Sequence, residues 1–214
     1  EGASYDEVLK QAQDLGYAER NPAADIEGHD ACRKLAILSS MAWGKFVDYN
    51  DIPTEGITKI TSEDVAYAQK MNCVIKLIGY AEREADGRIY ARVSPAFVPK
   101  SNILSSVNGV FNAVMLRGNY LGDAMFYGRG AGKEATASAV VADMIDCARH
   151  FGSEKHNILW EHNNGDIMYP YSEKKCSYFI RTADSKENIK NSFDTAYEEL
   201  EKYHEQHGNL DIKS

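Results

Sequence analysis

Residues 16–38 read GYAERNPAADIEGHDACRKLAIL, and the rest of the chain is organised around them. The first half, Gly16 to Gly28, predicts no regular structure. Pro22 lacks a backbone donor, Gly28 favours special dihedrals, and the acids Glu19, Asp25 and Glu27 follow neither a helical nor a strand period. The second half predicts a helix. Ala31, Leu35, Leu38 and Ala42 recur at helical spacing, and Gly44 stands where a C-terminal stop is expected. Asp30 and Lys34 then lie one turn apart on one face, near the helix start.

Two readings of that pair compete. In one it is a surface ion pair worth about 0.3–0.5 kcal/mol. In the other, Lys34 sits beside carboxylates as a proton donor and acceptor, a role open to lysine when partial burial lowers its pKa toward neutrality. The acid-rich loop, folded over the same helix start, would then hold a substrate cation.

Outward from this stretch, Ser4 to Leu15 predicts a helix, with Ser4 and Glu7 as a capping box. Ser62, Glu63 and Asp64 open another, running to about Met71. Cys73 to Glu84 and Arg88 to Val98 alternate as strands around Asp86-Gly87, a hairpin signal, with Pro95 and Pro99 marking the end of the second strand. Asn102 to Ser106 suggests a helical turn. A second hairpin is expected from Val110–Leu116 and Asp123–Tyr127. A helix follows over Glu134–His150, with Val140, Val141, Met144, Ile145 and Ala148 on its apolar side. Further on, Tyr169-Pro170-Tyr171 reads as extended, Cys176–Thr182 as a strand, and Lys186–Gln206 as a charged helix. Strands in the middle with helices on either side imply an α+β fold rather than alternating βαβ units.

Composition narrows the function. The 214 residues carry 43% hydrophobic side chains and a net charge of −8. That is enough for a core and wrong for a nucleic-acid surface. No apolar run approaches the ~18 residues of a membrane span, and no signal peptide is visible. Cys32, Cys73, Cys147 and Cys176 form no CxxC pair, so buried free thiols in a reducing cytoplasm are expected. His29, His150, His156, His162, His204 and His207 are scattered and make no metal-ligand set. The chain opens on Glu1 without Met, which reads as a piece of a longer protein.

Gly130-Ala131-Gly132 lies between a predicted strand and helix. It formally fits G-x-G-x-x-A, yet no following strand ends in an acid at the required distance, and the Walker A spacing fails by one residue. The loop is either a tight strand-to-helix turn or a set of backbone donors suited to an anion.

The pattern GYAE-x-x-P-x-x-D-x-E-G-x-D-A-x-x-K-L-A-I-L closely resembles the central signature of homoserine dehydrogenases, departing at Asn21, where the family usually has Asp. G-x-G-A-G followed by T-A-S-A-V-V-A-D, from Gly128 to Asp143, resembles a second signature of that family. The resemblance is strong from residue 1 to about 150. It implies a catalytic and dimerisation domain over 1–156, built on a mixed, largely antiparallel sheet with helices packed on one face. It implies interconversion of L-aspartate 4-semialdehyde and L-homoserine with NADP or NAD, in threonine, methionine and isoleucine biosynthesis, by a homodimer.

By the same resemblance Lys34 is the catalytic proton donor. Asp30 is an acid on the substrate side, Glu19 binds the substrate ammonium, and Gly16 is a backbone position near substrate and cofactor. Gly130, Ala131 and Gly132 approach the nicotinamide. The family's N-terminal nucleotide-binding domain and its second active-site lysine have no counterpart in these residues, so the chain alone is expected to be inactive. Residues 157–214 read as a C-terminal extension. In it CSYFIRTADSKENI resembles the opening of an ACT unit, with Asp184-Ser185-Lys186-Glu187 replacing the usual D-x-P-G turn and no later ACT strands. The competing class is a non-catalytic amino-acid-sensing or dimerisation module, in which Glu19 and Asp30 only line a pocket. Whether Lys34 and Glu19 face one cavity discriminates the two.

Overall fold

The structure is a computed structural model that describes residues 5–14, 16, 21–152, 160–161 and 167–181. The chain divides into two units, Glu1–Lys174 and Lys175–Ser214, and every described helix and strand belongs to the first. In order these are α1 (Tyr5–Asp14), α2 (Ala23–Ile26), α3 (His29–Trp43), α4 (Ser62–Lys70), β1 (Cys73–Arg83), β2 (Ile89–Pro99), β3 (Phe111–Gly118), β4 (Gly122–Arg129) and α5 (Lys133–Arg149). The class is α+β, as the clustering of strands predicts. Among the described residues two antiparallel hairpins, β1–β2 and β3–β4, carry the extended structure, and parallel pairing is confined to isolated bridges.

The β1–β2 hairpin turns at Asp86-Gly87. Gly87 has φ +87°, Glu84 N–H donates to Arg88 O at 2.8 Å, and Asp86 Oδ1 accepts from Arg88 N–H at 2.9 Å. Pro95 lies inside β2, opposite Leu77, and does not end it. The odd-numbered residues of β2 turn their backbone away from β1: Ile89 N–H donates to Ile167 O at 2.8 Å and Val93 N–H to Pro53 O at 2.9 Å. Pro95 shares that parity, so its missing N–H costs no bond to β1.

α3 packs on this hairpin with a face rotated from the one expected. Cys32, Ala36, Ser39 and Ser40 are buried, Ala31 and Leu35 half-buried, and Leu38 and Ala42 exposed. Small side chains win because the helix lies close to the sheet. Leu35 rests over Gly79, where an added Cβ would meet it at 3.6 Å. The buried Ser40 hydroxyl is satisfied, donating to Ala36 O at 2.8 Å and accepting from Val47 N–H at 2.9 Å. Gly44 ends the helix in the left-handed region at φ +67°. The core joins Cys32 and Ala36 to Val47, Ile52, Ile89, Ala91 and Val93. α4 packs against β1 behind a capping box between Thr61 and Asp64.

Other expectations need correction. The stretch from Gly16 to Gly28 is not wholly irregular. Asn21 Oδ1 accepts from Ala23 N–H at 3.2 Å and starts the single turn α2. The apolar side of α5 is not core here: Val140, Val141, Met144 and Ile145 are exposed. Cys32 and Cys73 are buried, but Cys147 is exposed on α5 and Cys176 is half-buried. Tyr171 begins a 3-10 turn to Glu173 instead of continuing an extended run. No strand forms over 176–181, which have no ladder partner among the described residues. Ser4 of the expected capping box, Thr182 and the helix expected from Lys186 lie outside the described residues.

Ile89 is 1% exposed in this core. Ile89→Ala is therefore expected to cost about 2–5 kcal/mol, read as a lower urea midpoint with unchanged slope. Ile103→Ala, at an exposed turn, is expected to stay within about 0.5 kcal/mol.

Candidate active site

Gly28 directs the chain from α2 into α3 with φ +80°, a conformation that side chains strain to adopt. Asp30 then falls in the first turn of α3, where the helix dipole favours an acid. One turn on, Lys34 Nζ stands 2.6 Å from Asp30 Oδ2. The Lys34 side chain is 59% exposed and that of Asp30 43%, so as an ion pair this contact adds only about 0.3–0.5 kcal/mol. Directly beneath, Cys32 and Ala36 are locked in the core, which makes the pair a charged outcrop on a rigid base.

Of the other expected residues, Gly16 closes α1. It is exposed, has φ +71°, and its N–H donates to Gln13 O at 2.9 Å. Glu19 lies outside the described residues. Asp25 is exposed within α2 and Glu27 half-buried just after it. Gly130, Ala131 and Gly132 form the connection from β4 to α5. Gly130 N–H donates to Val110 O at 2.9 Å, and a Cβ on Gly130 would fall 1.7 Å from Asn112 Nδ2, so a side chain there would require the Asn112 amide to turn away. Gly132, at φ +109°, opens α5 with no side chain capping its first turn. Among the described residues, no hydrogen bond or ion pair joins this loop to Asp30 or Lys34.

Two features gave no local signal in the sequence. One is a cavity of about 430 Å³ lined by Asp51, Pro53, Ala91, Met168, Tyr169, Pro170 and Tyr171, which includes none of the expected site residues. The other is a charged cluster on the face of the hairpin opposite α3. Lys174 Nζ pairs with both Glu82 and Glu84, the latter at 2.6 Å, and stands 5.3 Å from the centre of the Tyr90 ring. Tyr171 stacks on the same ring at 6.3 Å. Hydrogen bonds to Glu82 and Glu84 push the Lys174 ammonium above its ordinary value. Burial works to raise the Glu82 carboxyl, but hydrogen bonds from Lys174 and Tyr80 outweigh it and hold the group below its ordinary value. Residues of this cluster stand 90 positions apart in the chain, so no local pattern reveals it. No group of three or more His, Cys, Asp or Glu able to hold a metal occurs among the described residues. None of their helices is long and apolar enough to cross a membrane.

The model of the family described as homoserine dehydrogenase matches residues 1–145. Among curated proteins, the homoserine dehydrogenase of Synechocystis sp. is 46% identical over 160 residues, covering 73% of this chain and 37% of its own. That of Mycobacterium leprae is 50% identical over 153 residues, covering 70% and 35%. Among solved structures, a homoserine dehydrogenase from Thiobacillus denitrificans matches with a TM-score of 0.67 at 46% identity, over 73% of this chain and 36% of its own. A hyperthermophilic archaeal homoserine dehydrogenase in complex with NADPH matches with a TM-score of 0.54 at 28% identity, over 72% and 43%. The chain thus spans a little over a third of the length of the curated relatives it matches.

The opposed shifts at Lys174 and Glu82 set a pH window for the segment that ends at Lys174. Glu82, held low, contributes stability that is full above its ordinary value of 4.5 and lost as pH falls through the folded value. Lys174, held high, contributes stability that is full below 10.5 and lost as pH rises through its folded value. Amide exchange of residues 167–171 should stay slow between these limits, after correction for the intrinsic rate, and accelerate beyond either one. Lys174→Met should abolish the window.

Proposed function

The chain belongs to the homoserine dehydrogenase family, and on that premise we propose that it forms the catalytic part of an oxidoreductase that interconverts L-aspartate 4-semialdehyde and L-homoserine with NADP or NAD. The observation that carries the reading is the Asp30–Lys34 pair at 2.6 Å on the first turns of α3, within the matched region. In the reducing direction the Lys34 ammonium gives a proton to the carbonyl oxygen as the carbon is reduced. Its charge also stabilises the negative charge that develops on that oxygen. In the oxidising direction Lys34 takes the proton from the hydroxyl. Asp30 holds Lys34 Nζ in place and presents a carboxylate on the substrate side. Glu19 supplies the carboxylate for the substrate ammonium, a charge-assisted contact, and Gly16 brings bare backbone close to substrate and cofactor.

The nicotinamide cofactor supplies or accepts the hydride at the substrate carbon. The loop of Gly130, Ala131 and Gly132 suits its nicotinamide end: the crest is nearly free of side chains, and the uncapped N–H groups in the first turn of α5 could meet the carboxamide oxygen. Glu134 in that same turn opposes an anionic pyrophosphate, so the phosphates belong elsewhere. The archaeal relative in complex with NADPH supports a nicotinamide dinucleotide as the cofactor class. This reading assigns the activity to residues 1–156 and takes 157–214 as an extension resembling part of an ACT unit. The enzyme would act in the cytoplasm, in the biosynthesis of threonine, methionine and isoleucine.

Lys34→Met in the full-length enzyme is expected to lower turnover by about 100-fold or more, the low end for loss of a general acid. The fold should survive, because Met suits a helix and the position is exposed. Near-normal turnover would exclude Lys34 as the proton donor.

The enzyme is further proposed to be a homodimer joined through the β1–β2 sheet. Val74, Ile75, Leu77 and Ile78 are apolar on both faces of β1 and only half-buried in the single chain. Light scattering at micromolar concentration should return the mass of two chains, and a clean monomer would refute the assignment.

A further inference from the structure

One face of the β3–β4 hairpin sets an amide among glycines. Asn112 of β3 lies directly opposite Gly128 of β4. Its side chain reaches over Gly130, two residues further on: a Cβ built on Gly130 would stand 1.7 Å from Asn112 Nδ2 and 2.5 Å from Asn112 Cγ. Among the described residues, nothing beyond its chain neighbours lies within 4 Å of a Cβ built on Gly128, so the surface beside the amide is open. Asn112 itself is exposed. One rung along the same face, Val114 stands opposite Phe126, at 37% and 67% exposure.

The amide and the glycine loop share one mount. Gly130 N–H donates to Val110 O at 2.9 Å, which ties the loop to the start of the strand that carries Asn112. Next to Asn112, Phe111 stacks on Tyr127 across the hairpin with ring centres 4.8 Å apart, and Arg129 Cζ lies 5.8 Å from the Phe111 ring centre. Ahead of β3, Lys76 Nζ on β1 donates to Val107 O and, at 2.8 Å, to Asn108 Oδ1. The segment that enters β3 is thereby fastened to the first hairpin, and Asn112 keeps a fixed place beside the loop.

A flat ring that bears a carboxamide suits this face. Bare glycine backbone lets a ring approach closely, and Val114 and Phe126 offer apolar contact beside it. Of the two polar atoms of Asn112, Nδ2 is the nearer to Gly130, which leaves Oδ1 as an acceptor for an amino group. The uncapped first turn of α5, opened by Gly132, supplies donors for the oxygen of the same carboxamide.

We propose that Asn112 is a cofactor-binding residue, its Oδ1 accepting a hydrogen bond from the amino group of the nicotinamide carboxamide. The inference rests on the reading that the loop of Gly130, Ala131 and Gly132 approaches the nicotinamide.

The test uses the full-length enzyme oxidising homoserine with its preferred cofactor and with the acetylpyridine analogue of that cofactor. In the analogue a methyl ketone replaces the carboxamide, so the oxygen is kept and the amino group is gone. Asn112→Leu keeps the bulk of the side chain and removes both polar atoms. It should lower kcat/KM for the natural cofactor by about 3–10-fold, as expected for one lost hydrogen bond, and change the KM for homoserine less than about twofold. With the analogue, the variant and the wild type should differ less than about twofold, because no such bond is left to lose. An equal loss with both cofactors would mean that Asn112 only shapes the loop, and would overturn the proposal. Unchanged kinetics with the natural cofactor would overturn it too. If Asn112→Leu does not fold, Asn112→Ala is read by the same criteria. Ala131→Leu tests the reading beneath the proposal, since it crowds the loop and should raise the KM for the cofactor severalfold. If it does so while Asn112→Leu is silent, the assignment of Asn112 alone falls. Wild-type cofactor kinetics in Ala131→Leu would take the loop out of the cofactor site, and this inference with it. A wild-type enzyme that fails to oxidise homoserine would remove the functional reading itself.

Discussion

The first unit depends on β2 being enclosed from every direction. One edge pairs with β1 along the full hairpin. The other edge bonds to Pro53 and Glu55 at Val93, and to Ile167 and Tyr169 at Ile89. One face takes α3 through Cys32 and Ala36; the other takes the ring of Tyr171 on Tyr90. Ile89, Tyr90, Ala91 and Val93 are consequently almost fully buried in a hairpin that would otherwise be marginal in water. Residues 167–171 thus complete the same sheet that supports the proposed catalytic helix.

What the sequence revealed was local. The spacing of Asp30 and Lys34, the Gly44 stop, the Asp86-Gly87 turn and the two hairpins are each set by neighbours within a few residues, and each was legible for that reason. The rotation of α3 was not. Hydrophobicity favours a stripe through Leu38, but the distance to the sheet selects Cys32, Ala36, Ser39 and Ser40, and that distance is set by Gly79 on another element. Pro95 misled in the same way. Whether proline breaks a strand depends on which edge its missing N–H would face, a property of pairing and not of composition.

Long-range contacts were the least legible. Gly56 packs against the backbone of Ile26 and Glu27, where an added Cβ would stand 2.2 Å from Ile26 O, and nothing near it in the sequence points to either residue. Lys174, Glu82 and Glu84 are ordinary surface residue types that become a cluster only when the segment from Ile167 lies along β2. The α5 stripe marks another limit. Helical spacing tells that Val140, Val141, Met144 and Ile145 share an apolar side, but not what covers it, and in this chain that side is open.

The proposed site itself was found through residue pattern, and energetics could not have found it. At 59% and 43% exposure, the Asp30–Lys34 contact has the energy of any surface ion pair. What distinguishes it is mounting. A surface pair on a frayed helix samples many geometries, and each loses the alignment on which proton transfer depends. Here the helix start is fixed three times over: by Cys32 and Ala36 in the core, by the left-handed turn at Gly28, and by the 54–57 segment closing on Ile26 and Glu27. Such anchoring exceeds what a solubilising ion pair requires, and it suits a lysine whose ammonium must meet a substrate oxygen at a fixed point.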